Sequence, residues 1–240
     1  MKRTLSIFLA VLFSVVLFSD AQAGERTRSG KYQGKHSSGT FEKKVSRQPG
    51  HVTKDTTWQN DKGQGTRHME RNWDKGKGTG TYSSSTTRPD GKTASKAGTV
   101  TRNEDGSYTQ KGTITGPKGN VTDVDRDMKK NEDGSRSVHS VYTKPNDETV
   151  TVDKTIKKTD TGRDATGNYS SSTGKSGTFQ SSSNVSEGKR TTSQSLTNQD
   201  GKTWKRNIDT AKEGETINRT VTTTNPEGET KTFTQSVTLD

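Results

Sequence analysis

The chain has 240 residues, no cysteine, 39 Lys and Arg against 28 Asp and Glu for a formal charge of +11, and only 21% hydrophobic residues. Fifteen apolar residues fall in the first 23 positions, so the other 217 are about 16% apolar, well below the roughly 45–50% of an ordinary domain. A large dry core, disulfide stapling and thiol chemistry are excluded. What remains is a thin, regular, repeat-based fold or a disordered chain.

The first element is an export leader. Met1-Lys2-Arg3 is a positive start, Leu5–Phe18 an apolar run of 14, and Ala21-Gln22-Ala23 a small-residue cleavage pattern before Gly24. Fourteen residues rise only about 21 Å as a helix, short of a bilayer core. The reading is therefore a signal peptide, residues 1–23, cleaved after Ala23, with no transmembrane anchor remaining. The protein is expected in the periplasm, at the cell surface or outside the cell.

Residues 24–49 lack strong alternation and hold Arg26, Arg28, Lys31, Lys35, Lys43, Lys44 and Arg47 against Glu25 and Glu42. They read as a flexible basic arm or a degenerate first repeat.

From residue 50 the chain repeats. Gly50, Gly78, Gly106, Gly134 and Gly162 are 28 residues apart, and Gly188 and Gly214 follow at intervals of 26. A second turn signal divides each unit: Asp61-Lys62-Gly63, Pro89-Asp90-Gly91, Pro117-Lys118-Gly119, Pro145-Asn146-Asp147, Thr173-Gly174, Gln199-Asp200-Gly201 and Pro226-Glu227-Gly228. Proline presets one turn torsion while glycine or asparagine accepts positive φ, so these are chain reversals with a mechanism. Between turns the period is two, as in Val150, Val152, Lys154 and Ile156 against Thr151, Asp153 and Thr155, or Val124, Arg126 and Met128 against Asp123, Asp125 and Asp127. The final segment alternates Phe233, Gln235, Val237 and Leu239 with Thr and Ser. Seven tandem hairpins of 26–28 residues, about fourteen short strands, are expected over 50–240. The fold class is all-β: a repetitive antiparallel meander forming an elongated, largely single-layer sheet, since Lys, Arg, Gln and Ser interrupt the apolar face that a closed barrel would need. A β-solenoid or a largely disordered chain are the alternatives.

No catalytic group is expected. Serines lie in low-complexity stretches, and His36, His51, His68 and His139 have no metal-ligand spacing. Asp123, Asp125 and Asp127 share one strand face, but no glycine-punctuated calcium loop accompanies them, so no metal and no cofactor are assigned. The distinctive pattern is a cation between apolar residues on one face: Arg126, Lys154, Arg206 beside Trp204, and Arg219. With Arg26, Arg28, Lys43 and Lys44 these are the candidate binding residues. Regularly spaced cations suit an acidic polysaccharide, lipopolysaccharide or extracellular DNA. The functional expectation is a non-enzymatic exported protein that binds polyanions or envelope and matrix components. The alternative is a structural protein that self-assembles into homo-oligomers through its sheet edges.

Overall fold

A computed structural model describes residues 23–34 and 37–239, so the leader expected over 1–23 lies outside the described residues except for Ala23. The described chain is strands and turns, with no helix. In order the strands are β1 (Gly24–Gly34), β2 (Ser38–Gln48), β3 (His51–Asn60), β4 (Gly63–Asp74), β5 (Thr79–Thr87), β6 (Thr93–Arg102), β7 (Tyr108–Thr115) and β8 (Val121–Lys130). They continue as β9 (Arg136–Thr143), β10 (Thr149–Lys158), β11 (Gly162–Ser171), β12 (Ser176–Ser186), β13 (Lys189–Asn198), β14 (Thr203–Glu213), β15 (Thr216–Thr224) and β16 (Thr230–Leu239).

The turn chemistry explains this spacing. Gly50, Gly78, Gly106, Gly134, Gly188 and Gly214 have positive φ, as do Gly63, Gly91, Gly119, Gly174, Gly201 and Gly228 in the intervening turns, with Asp147 in the place of a glycine. In a representative turn, Asn103 N–H donates to the Ser107 carbonyl at 2.8 Å and Gly106 N–H donates back to the Asn103 carbonyl at 3.0 Å. This is a tight turn whose left-handed residue completes the reversal. Gly162 departs from the series: its φ is ordinary, and the Thr159–Thr161 turn exchanges bonds with it at 3.1 and 3.4 Å.

Every neighbouring pair is antiparallel, and β1 pairs with β16, so the meander closes into a sixteen-stranded barrel in place of the expected open sheet or solenoid. Two features produce closure. Residues 24–49, read as an arm or degraded repeat, carry β1 and β2, and β1 meets β16 from Gly30↔Leu239 to Gly34↔Gln235. The apolar-face requirement, meanwhile, applies to small barrels. Sixteen strands about 4.8 Å apart and tilted by about 40° make a backbone ring roughly 30 Å across, wide enough to hold water, so its inner face can carry charge.

The register is unbroken around the ring, and each residue keeps one face throughout. Stepping from pair to pair returns to β1 displaced by about 20 residues along the strand, the stagger a tilted barrel needs. Because strands twist with one hand, the sense of this stagger places the face of Val138, Val152 and Arg126 inside. Burial agrees: Val221 is 0%, Val138 2% and Ser140 2% exposed, all on that face. So does ring packing. Trp73 of β4 and Tyr108 of β7 stand three strands apart, yet their ring centroids are 6.2 Å apart, as only side chains converging on a concave side can be.

Candidate anion-binding lumen

Alternation sorts the strand residues by chemistry. The outer face is a carpet of threonine and serine: β5 presents Thr79, Thr81, Ser83, Ser85 and Thr87, and β16 presents Thr230, Thr232, Thr234, Ser236 and Thr238. A barrel facing lipid needs an apolar band outside, with its polar residues inside. Here the arrangement is reversed, and all eleven aromatic residues of the described strands point inward, among them Trp58, Trp73, Tyr82, Tyr142, Tyr169 and Trp204.

The charges segregate more sharply still. Inward strand positions hold twenty cations: Arg26, Arg28, Lys43, Arg47, Lys54, Arg67, Arg71, Lys96, Arg102, Arg126, Lys130, Arg136, Lys154, Lys158, Arg163, Arg190, Arg206, Lys212, Arg219 and Lys231. Among the described residues no strand aspartate or glutamate faces inward. The strand carboxylates, including Asp55, Glu70, Asp123, Asp125, Asp127, Asp153 and Asp209, all face out. Every strand arginine is inside, and the outward strand cations, Lys31, Lys44, Lys111, Lys129, Lys157, Lys189 and Lys205, are all lysines.

Arg126 is the best-held of the inward cations. It is 8% exposed, and its guanidinium donates to Ser140 Oγ at 2.9 Å, to Tyr142 Oη at 2.8 Å and to Gln110 Oε1 at 3.4 Å. All three acceptors are neutral, so the positive charge is held in position without being cancelled. Two strands away on either side lie Lys96 and Lys154. Burial, with Arg71, Arg67 and Arg126 nearby, pulls Lys96 down to about 8, and burial, with Arg126 and Arg163, does the same to Lys154. Lys54 and Arg206 are lowered for the same reasons, desolvation first and cationic neighbours second. Arg67 Nε is buried and has no hydrogen-bond partner. The lumen wall is thus an electropositive surface whose own groups repel, and a bound anion would relieve that repulsion.

The distribution along the barrel is uneven. Arg26, Arg47, Arg102, Lys130, Arg136, Lys158, Arg163, Arg190 and Lys212 lie within two residues of the strand ends at the mouth formed by the Gly50, Gly78, Gly106, Gly134, Gly188 and Gly214 turns. At the opposite mouth only Lys231, among the described residues, is so placed. The turn carboxylates Asp105 and Asp133 beside the cationic mouth are held low by Ser107 and Ser135, which donate to them.

Of the residues read from the sequence, Arg126, Lys154, Arg206, Arg219, Trp204, Arg26, Arg28 and Lys43 share the inner face. Lys44 stands apart: it faces outward and pairs with Glu25 at 2.9 Å. Sequence reasoning missed Arg67, Arg71, Lys96 and Arg102. On the inward face Met69 stands between the first two and Gly98 and Val100 between the second two, and the lack of any Asp or Glu on that face is the signal that finds them.

The outer groups form local pairs. His68 bonds Asp55 and His139 bonds Asp153, both at 2.6 Å and about half exposed. Asp125 lies 3.5 Å from Lys111, and Asp127 accepts from Thr109 at 2.9 Å. Among the described residues no group of three His, Asp or Glu could hold a metal ion. Comparison with protein-family models, with curated proteins and with solved structures gives no match.

Proposed function

We propose that this is a non-enzymatic exported protein that binds polyanions, and that the binding surface is the inside of the barrel. The observation that carries this reading is the sorting of strand charge: twenty inward cations and, among the described residues, not one inward carboxylate. Solubility needs no such sorting, since mixed charges on the outer face serve that purpose. Holding so many cations on a concave wall costs stability through mutual repulsion, and a polyanion that exchanges its counterions for them removes the cost. Export rests on the leader pattern of residues 1–23.

The test is the salt dependence of heparin binding. Affinity should fall steeply and linearly on a log–log plot, and replacing Arg102, Arg163 and Arg190 with glutamine should flatten the slope by roughly one unit for each ion pair removed. Replacing outward Lys111, Lys129 and Lys157 with glutamine should leave the slope unchanged. Equal effects from both triplets would overturn the lumen as the site.

The second reading, growth by edge pairing, has less to work with in a closed ring. Pairing of β1 with β16 joins Gly30–Gly34 to Gln235–Leu239 and, among the described residues, leaves Gly24–Ser29 and Thr230–Thr234 as the stretches available to another chain. Light scattering that shows species growing with concentration would support this reading.

A further inference from the structure

We infer that the polyanion the lumen is built for is a single-stranded nucleic acid, with phosphates on the inward arginines and bases on the inward rings. This inference rests on the reading of the lumen as an anion site and adds the class of ligand.

Three observations point to it. The first is the choice of cation. All twelve strand arginines face the lumen, whereas every outward strand cation is lysine. Lysine would satisfy a requirement for charge alone. Arginine's planar fork matches two oxygens of a phosphate and also stacks on a base.

The second is how the rings lie. Five large aromatic side chains reach over glycines of nearby strands: Trp58 over Gly65, Trp73 over Gly80, Tyr169 over Gly177 and Phe179 over Gly167 with ring atoms, and Tyr82 over Gly98 and Gly112 with its hydroxyl. A Cβ on Gly80 would stand 2.7 Å from a Trp73 ring carbon, and one on Gly177 2.8 Å from a Tyr169 ring carbon. Missing side chains leave room for the rings against the wall, and Trp58 lays three ring atoms where a Cβ on Gly65 would stand. Flat rings interleaved with cations are the stacking platforms on which single strands are held, because every base has a π-face and a duplex hides it.

The third separates nucleic acid from acidic polysaccharide. A sugar chain offers many hydroxyl donors that need acceptors, and the inward positions of the described strands supply no carboxylate. The wall donates through arginine and lysine to a ligand that accepts, which suits a phosphodiester. The cation-rich mouth at the Gly50, Gly78 and Gly106 turns gives such a strand its point of entry.

The experiment uses the purified protein and four labelled or competing probes at 0.15 M salt: a thymidine 20-mer, an abasic strand of the same length and charge, a duplex of the same length, and heparin. Expected is binding of the thymidine strand at least tenfold tighter than of the abasic strand or the duplex, with quenching of the Trp58, Trp73 and Trp204 fluorescence by the thymidine strand alone. Replacing the exposed mouth residues Arg102 and Arg163 with glutamine should weaken that binding at least tenfold with the thermal midpoint unchanged, while Lys157→Gln has no effect. An abasic strand that binds as tightly as the thymidine strand would overturn base stacking. Heparin displacing the thymidine strand at equal charge concentration would assign the site to polysaccharide and overturn the inference while the polyanion reading stands. Binding of none of the four would overturn both.

Discussion

The wall from β5 to β10 and the seam where β16 meets β1 are built from the same strand chemistry but held very differently. In the wall, strands adjacent in sequence pair over their full length, and their inward side chains bury one another: Val124, Met128, Val138, Val150 and Val152 enclose Arg126 and Ser140. At the seam, five residue pairs join the two ends of the chain, and two of the β1 partners, Gly30 and Gly34, have no side chain to pack. Local pairing gives the barrel its walls, and closure over the whole length of the chain is its weakest joint. Ring closure brings together residues some two hundred positions apart for a short ladder, so the seam opens first and the wall last. Amide exchange should rank them in that order, and equal protection in β1, β16 and β9 would remove the distinction.

The largest effect expected from a single change is at Gly98. A Cβ there meets the Lys111 carbonyl oxygen and the Tyr82 hydroxyl, with Gly112 directly opposite. Gly98→Ala should cost about 3 kcal/mol, the upper end for overpacking. At the seam, Gly34→Ala meets the flexible Gln235 side chain at 3.3 Å and the Ser37 carbonyl oxygen at an ordinary contact distance of 3.6 Å, and should cost below about 0.5 kcal/mol by denaturant midpoint.

Next is Val138, 2% exposed between Met128 and Lys154. Val138→Ala should cost about 2 kcal/mol, more than Leu239→Ala at the seam. A reversed ranking would mean that closure, not the wall, carries the stability.

A pH experiment sharpens the same contrast. Lys96 and Lys154 titrate near 8 in the folded wall and near the ordinary lysine value when unfolded. Below about pH 8 both states are charged and the fold carries the penalty, and above the unfolded value neither is charged and the penalty is gone. Stability should therefore rise between roughly pH 8 and 10.5, and anion affinity should fall over the same window. The Lys96→Met, Lys154→Met double variant, compared by thermal midpoint across that range, should show a smaller rise.

The smallest effects belong to the outer face. Asp55→Asn and Asp153→Asn each remove the partner of a half-exposed histidine and should cost less than about 0.5 kcal/mol.

The strands were legible because their punctuation is chemical. Pro-X-Gly and Asp-Gly turns at Gly91, Gly119 and Gly201 require positive φ, and the structure has it there. The faces were legible too, since Asp123 and Val124 must point opposite ways in any strand. Closure was not. It depends on a small stagger added at each of sixteen pairings and on strands β1 and β2, whose residues Arg26, Arg28 and Lys43 interrupt any apolar pattern. Which face turns inward follows from that accumulated stagger, which no single hairpin contains. The lumen cations were therefore visible individually, as Arg126 or Lys154, but not as one enclosed surface.

Hairpin repetition makes the bore of this channel a matter of copy number. Each hairpin inserted by duplication would add two strands at about 4.8 Å each, tilted by about 40°, and widen the ring by roughly 4 Å without altering which residues face in. A frameshift in strand register, by contrast, would turn arginine outward along a whole segment. Gain or loss of whole hairpins is thus the cheap route to a gauge for thinner or bulkier anionic threads, and single-residue insertions should be confined to the turns.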